Sequence, residues 1–64
     1  MMQYNVLATL NGSTIFRGTM VYLPHIGEEI EVDMCIYRIK NIRHIIKEGL
    51  HPYTDVILYL EFVK

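Results

Sequence analysis

The chain has 64 residues, 52% of them hydrophobic, with a formal net charge of −1 and a pI near 6.2. A chain of this length buries only about 60% of its unfolded surface, and its single cysteine, Cys35, excludes an internal disulfide. The near-neutral charge argues against nucleic-acid binding through a general basic field, and no apolar run approaches the roughly 20 residues that span a bilayer. Apolar side chains that such a small interior cannot hold predict an interface with other copies.

The beginning of the chain, MMQYNVLATL, lacks the basic segment and the long apolar core of a signal peptide. We therefore expect a cytoplasmic protein of a bacterium or a phage, acting in the bacterial or infected host cell. No linker, internal repeat or low-complexity tract divides the sequence, so residues 1–64 are expected to form a single small domain.

Five segments between turn signals are predicted to be strands, because they alternate apolar and polar residues or are rich in β-branched ones. They cover residues 3–10, 14–22, 29–32, 35–47 and 56–63. Asn11-Gly12 predicts a tight hairpin, since both turn residues must accept a positive φ. Asp33-Met34 is predicted to close a second tight hairpin without the usual glycine. Gly18 predicts a bulge or a sharp bend inside the second strand.

The fourth segment changes its alternation within IKNIRHIIK, residues 39–47. A helix could gather the isoleucines on one face, but β-branched residues dominate and no capping box precedes them. A β-bulge near Lys40 and Asn41 explains the change, because one extra residue resets which side chains face inward. Inward positions are then Tyr37, Ile39, Ile42, His44 and Ile46, and outward positions are Arg38, Lys40, Arg43, Ile45 and Lys47.

PHIGEEIEV contains a Pro-x-x-Gly-acidic turn, and the YRIKNIRH that follows contains a Tyr-x-Ile-x-x-Ile strand. Across residues 24–44 this pattern resembles small SH3-like β-barrel proteins of bacteria and phages. The resemblance implies a fold and carries no activity. With five short strands, one of them long and bent, the expected architecture is an all-β, five-stranded, strongly bent SH3-like barrel.

Catalytic and metal sites are not expected. The histidines His25, His44 and His51 and the lone Cys35 do not stand at zinc-ligand spacing. Cys35 lies between apolar neighbours, as a small buried hydrophobic residue does. The glutamates near residue 30 are typical of the solvated face of a short strand. We therefore predict neither enzymatic activity nor a cofactor.

The basic residues concentrate on the fourth strand and suggest a ligand. Arg43 and Lys47 share its outward face, Tyr53 in the following loop could stack on a base, and His44 or His51 could donate a further hydrogen bond. These five residues are the candidate ligand-binding set. The alternative is a solvated face whose charge is balanced by Glu29 and Glu31 of the neighbouring strand.

The last strand, VILYLEFV, is apolar on both faces. A barrel has one interior, so the second face needs another cover, and we predict a subunit interface at Ile57, Tyr59 and Ile45. The sequence thus favours a non-enzymatic homo-oligomer that sequesters a small anionic ligand, such as a nucleotide, between subunits. A protein-protein interaction module, acting as an adaptor or inhibitor of a host or partner protein, is the alternative.

Overall fold

A computed structural model describes residues 3–63 as one curled sheet. Its strands are β1 (Tyr4–Leu10), β2 (Ser13–Met20), β3 (Glu29–Val32), β4 (Cys35–Lys47) and β5 (Tyr53–Phe62), in the spatial order β2-β1-β5-β4-β3. The sheet is a strongly curled half-barrel without helices, compatible with a small barrel. The predicted all-β, five-stranded class is confirmed, although β5 begins at Tyr53 and not at residue 56.

The first and last strands of the chain lie side by side within the sheet. β1 and β5 are parallel, with Leu7 opposite Ile57, whereas the other three neighbouring pairs are antiparallel. Antiparallel neighbours can be joined by short turns, but a parallel pair requires a long connection. Here β2, β3 and β4 make up that connection, so the first and last strands meet only after most of the chain has been placed.

The core lies on the concave face of the sheet, which we call the inner face. It contains the seven buried hydrophobic residues Val6, Ala8, Tyr37, Ile39, Val56, Leu58 and Leu60. Alternate residues of each strand point to the opposite, outer face. Cys35 is half-buried against this core, as its apolar neighbours in sequence predict.

Both predicted tight hairpins are present. Asn11 and Gly12 have φ values of 49° and 87°, and Asp33 and Met34 have values of 50° and 68°. The prediction of a bulge at Gly18 was wrong, because Gly18 pairs regularly with Val6 and the register of β1 and β2 shifts between Ala8 and Thr9. Glycine serves another purpose at position 18: a Cβ there would lie 3.0 Å from the Phe16 ring.

The bulge predicted in β4 is confirmed at Lys40. Ile39 pairs with Leu60 and Asn41 pairs with Tyr59, so Lys40 is the extra residue. The Asn41 side-chain oxygen accepts a hydrogen bond from the Ile42 N–H at 2.9 Å, which supports the local bend. His44 and Ile46 follow on the inner face as predicted, but both are exposed, because the core ends before this part of the strand.

Candidate functional site

A row of four side chains crosses the outer face from β2 to β4. Arg17 is opposite Leu7, Leu7 is opposite Ile57, and Ile57 is opposite Arg43. Directly paired residues point to the same side of a sheet, and three strand spacings separate the ends of the row by about 14 Å. Two apolar residues therefore form a floor with an arginine at each end.

A groove of about 420 Å³ lies along this floor. Leu7 and Ile57 line its base, and Arg17, Ile45 and Asp55 are among the residues around them. The lining side chains belong to the outer face, so the groove is a local depression between them and not the concave side of the half-barrel. The groove is mainly apolar, with one cation and one anion in its lining.

Tyr59 orients Arg43 beside the groove. The guanidinium carbon of Arg43 lies 5.6 Å from the centre of the Tyr59 ring, within the range of a cation–π interaction. The two residues are diagonal neighbours, because Arg43 is opposite Ile57 and Tyr59 is opposite Asn41. This contact holds the planar guanidinium over a half-buried aromatic ring while the arginine itself remains exposed.

Arg43 and Arg38 are on the same strand but have different electrostatic surroundings. The Arg38 guanidinium donates a hydrogen bond to Glu29 Oε2 at 3.3 Å, and Arg38 is also opposite Glu61. Within residues 3–63, Arg43, Lys47 and Arg17 form no ion pair. β3 begins at Glu29, opposite Arg38, and runs from there toward Cys35, so its glutamates do not reach Arg43 or Lys47.

The structure distributes the five predicted ligand-binding residues over different places. Arg43, Lys47 and Tyr53 are on the outer face, where Tyr53 is opposite Lys47. His44 is opposite Val56 and therefore points to the inner face, away from Arg43. His51 is exposed in the loop between β4 and β5. The outer face thus brings together three of the five.

The three predicted interface residues are neighbours on the outer face. Ile57 lies between Tyr59 and Asp55 along β5, and Asp55 is opposite Ile45. Ile57 and Tyr59 are half-buried within the single chain, and the Ile45 side chain is 36% exposed. Together they extend the apolar floor of the groove toward the edge of β4.

Arg17 is the site residue that the sequence analysis did not identify. It belongs to β2, far from Arg43 along the chain, and reaches the same row only because β1 lies beside β5. A parallel pairing of the first and last strands leaves no local signal in the sequence. The available signal was compositional: Arg17 is an exposed cation in a strand that is otherwise uncharged.

The shifted pKa values lie away from the groove. An N–H donated by the His25 backbone lowers the pKa of Glu28, and a hydrogen bond to Glu28 raises the pKa of Tyr22. Loss of solvation raises the pKa of Tyr37 at the core. Across residues 3–63 no three histidine, cysteine, aspartate or glutamate side chains converge on a point that could hold a metal ion.

Comparison with models of protein families, with curated proteins and with solved structures found no match to this chain. The described part of the chain contains no helix that could cross a membrane. The outer face itself therefore indicates the function: its apolar floor is bordered by Arg17 and Arg43, which form no ion pair within residues 3–63.

Proposed function

We propose that this protein is a non-enzymatic, homo-oligomeric binding protein that sequesters a small anionic ligand, such as a nucleotide, at its subunit interface. The ligand lies on the outer face over Leu7 and Ile57, between Arg17 and Arg43. Lys47 and Tyr53 extend the site toward the end of β4. The protein acts in the cytoplasm of a bacterium or of an infected cell and needs no cofactor.

The observation that carries this proposal is the contrast in charge compensation along β4. Arg38 has a carboxylate at 3.3 Å, whereas Arg43 and Lys47 have none within ion-pair distance among residues 3–63. An arginine that serves only solubility or sheet stability gains from a cross-strand carboxylate. Arg43 instead rests on Tyr59 with its hydrogen-bond donors available.

The chemistry of the groove suits a ligand with an anionic end and a flat apolar part. A guanidinium can hold a phosphate through two parallel hydrogen bonds, whereas a lysine acts as a point charge. The floor of Leu7 and Ile57 and the ring of Tyr53 offer apolar and aromatic contact to a base. Asp55, in the lining, can accept hydrogen bonds from amino groups of such a base.

The exposed apolar residues support the oligomer. Ile45 on the outer face and Ile46 on the inner face both remain exposed in the single chain. Large exposed apolar side chains on both faces beside one edge of a small sheet favour a contact at that edge. A second subunit would shield Ile45, Ile57 and Tyr59 and would deepen a groove that one subunit leaves open.

Calorimetry with mono-, di- and cyclic nucleotides tests the ligand. We expect at least one of these to bind, and Arg43→Ala to weaken it by roughly 1.5–3 kcal/mol, the contribution of a charged hydrogen bond. Arg38→Ala is the matched control, since it removes an arginine of the same strand that is already neutralised. Light scattering after gel filtration should show that both variants keep the oligomeric state of the wild type.

Two results would count against the proposal. If the wild type binds none of the nucleotides at millimolar concentration, the proposal of an anionic ligand is wrong. The same apolar surface would then be assigned to a protein partner, as an adaptor or inhibitor. Equal weakening by Arg38→Ala and Arg43→Ala would show that general positive charge, and not the groove, attracts the ligand.

A further inference from the structure

The outward edge of β4 is open over its second half. β3 pairs with β4 only from Cys35 to Arg38, and two further backbone hydrogen bonds join Ile39 to Gly27 and Glu28. No backbone partner on this side follows from Lys40 to Lys47 within residues 3–63. An edge strand of this kind presents a row of free N–H and C=O groups to any other strand.

The side chains beside this open edge are apolar as well as basic. Ile46 is 70% exposed on the inner face, and Ile45 is 36% exposed on the outer face. The opposite edge of the sheet, formed by β2, differs: no large hydrophobic side chain of Ser13–Met20 is exposed, and the register shift between Ala8 and Thr9 interrupts its pairing with β1. The second half of β4 is therefore the edge at which a further strand gains most.

We infer that residues 41–47 pair antiparallel with the same residues of a second copy, about a two-fold axis that passes through His44. The inference rests on the homo-oligomer of the proposed function and specifies its interface. In this arrangement the two half-barrels form one continuous sheet, and each copy covers the open edge of the other.

The side chains after the bulge select this register. With His44 at the axis, Ile42 is opposite Ile46 of the second copy, Asn41 is opposite Lys47, and Arg43 is opposite Ile45. Pairs of β-branched residues at directly facing positions stabilise a sheet, and like charges there destabilise it. In this register Arg43 and Lys47 each face an uncharged residue of the second copy.

The neighbouring symmetric registers are less favourable. With the axis at Arg43, the two arginines face each other directly. With the axis at Ile45, Arg43 faces Lys47 of the second copy. Both arrangements place cations opposite each other, so the register with His44 at the axis is the one that the sequence of this edge favours.

This pairing would complete the ligand site. The outer faces of the two copies become continuous, and Arg43 of one copy faces Ile45 of the other. The two Arg43 residues are then diagonal neighbours, about 7–8 Å apart between their Cβ atoms. Two guanidinium groups at that separation can hold one anionic group from both sides, and each rests on the Tyr59 ring of its own chain.

Single cysteines test the register directly. In a Cys35→Ser background, His44→Cys places two thiols opposite each other at the axis, with Cα atoms about 4.5–5.5 Å apart. That separation lies within the range that a disulfide bridges. Under oxidised glutathione we expect His44→Cys to form a covalent dimer rapidly. His44, Asn41 and Lys47 are all exposed, so each variant is expected to fold.

Asn41→Cys and Lys47→Cys, each in the same background, are the matched controls. Either variant alone places its two thiols six residues out of register, about 20 Å apart, and should not cross-link. An equal mixture of the two should form a disulfide-linked species that neither forms alone. Circular dichroism of each variant confirms that the chain is folded.

Two outcomes would overturn the inference: no cross-linking of folded His44→Cys, or cross-linking of Lys47→Cys alone at the same rate. Either outcome would assign the open edge to another occupant, such as an extended segment of a different protein, or to solvent. The result is independent of ligand binding. A protein that cross-links through residue 44 but binds no nucleotide retains this interface and loses the ligand, whereas a protein that binds nucleotide without this cross-link retains the ligand and loses the interface.

Discussion

The two halves of β4 both combine isoleucines with an arginine but have different surroundings. Cys35 to Ile39 has β3 on one side and β5 on the other, and its inward residues Tyr37 and Ile39 are buried. Lys40 to Lys47 has β5 alone, and most of its side chains are exposed. The difference shows that tertiary context, and not the isoleucine content, decides which half is buried.

The bulge at Lys40 separates the buried half from the exposed half. It lies where β3 no longer accompanies β4 and where the inward set changes from odd to even residue numbers. A bulge bends the strand and increases its twist. The second half can thus leave the core without breaking its pairing with β5, which continues to Lys47 and Tyr53.

Matched isoleucines in the two halves give the largest expected contrast. Ile39 is 1% exposed and Ile46 is 70% exposed. Ile39→Ala removes methyl groups from the packed core and should lower the free energy of unfolding by about 2–5 kcal/mol. Ile46→Ala should change it by less than about 0.5 kcal/mol when the protein is dilute. Urea denaturation at low micromolar concentration measures both values.

Similar losses in the free energy of unfolding for Ile39→Ala and Ile46→Ala would contradict the difference between the two halves, because they would mean that the second half also belongs to the stabilising core. The same measurement at high protein concentration tests whether a dimer forms through the second half. A dimer that uses the edge of β4 should make Ile46→Ala more costly there, while the cost of Ile39→Ala should change little.

The turn between β3 and β4 offers an intermediate effect that acts on the first half alone. Met34 has a φ of 68°, in the left-handed region, and its side chain is 91% exposed, so no packing of the side chain offsets the backbone strain. Met34→Gly should raise the free energy of unfolding by about 0.5–1 kcal/mol, since glycine adopts this conformation without strain.

Gly12→Ala is the counterpart in the other hairpin. Gly12 has a φ of 87°, and no atom outside its neighbours lies within 4 Å of the Cβ that alanine would add. We expect Gly12→Ala to lower the free energy of unfolding by about 1 kcal/mol, and this loss would come from backbone conformation alone. A stabilising Gly12→Ala or a destabilising Met34→Gly in thermal melts would contradict the turn conformations described.

A smaller effect concerns the pH dependence of the turn before β3. The His25 backbone N–H lowers the pKa of Glu28 below its ordinary value of 4.5. Its contribution to stability is therefore present above that ordinary value and is lost as the pH falls through the lower pKa of the folded state. The Glu28 carbonyl also accepts a hydrogen bond from the Ile39 N–H, so acid should loosen the packing of this turn against the first half of β4.

Glu28→Gln should remove this dependence. Thermal melts between pH 6 and pH 3 should show a smaller loss of stability in the variant than in the wild type. In NMR spectra over the same pH range, the amide signals of residues 42–47 should shift equally in both proteins. An unchanged acid dependence in Glu28→Gln would assign the effect to other carboxylates.

Local patterns in the sequence predicted much of this fold. Asn11-Gly12, Asp33-Met34 and the changed alternation after Ile39 each contain their own signal, because turns and bulges depend on a few neighbouring residues. The bounds of β3 were also predicted. The exposure of His44 was not, because a strand pattern shows which face a residue takes but not where the core ends.

The features that the sequence did not predict depend on pairing between strands that are distant in the chain. The position of Arg17 in the same row as Arg43 depends on the parallel pairing of β1 and β5, which places Leu7 opposite Ile57. Charge balance along β4 likewise depends on how far β3 accompanies it. Glu29 and Glu31 were considered as partners for the whole basic face, and the register limits their reach to the first half.

The central claim is that the second half of β4 is an open edge that a second copy covers. Amide hydrogen exchange at low micromolar and at millimolar protein concentration tests it most directly. Alternate amides between Asn41 and Lys47 should be protected more strongly at the higher concentration, while the Ile39 amide, bonded to Glu28, should exchange slowly at both. Equal exchange of residues 41–47 at the two concentrations would contradict the account.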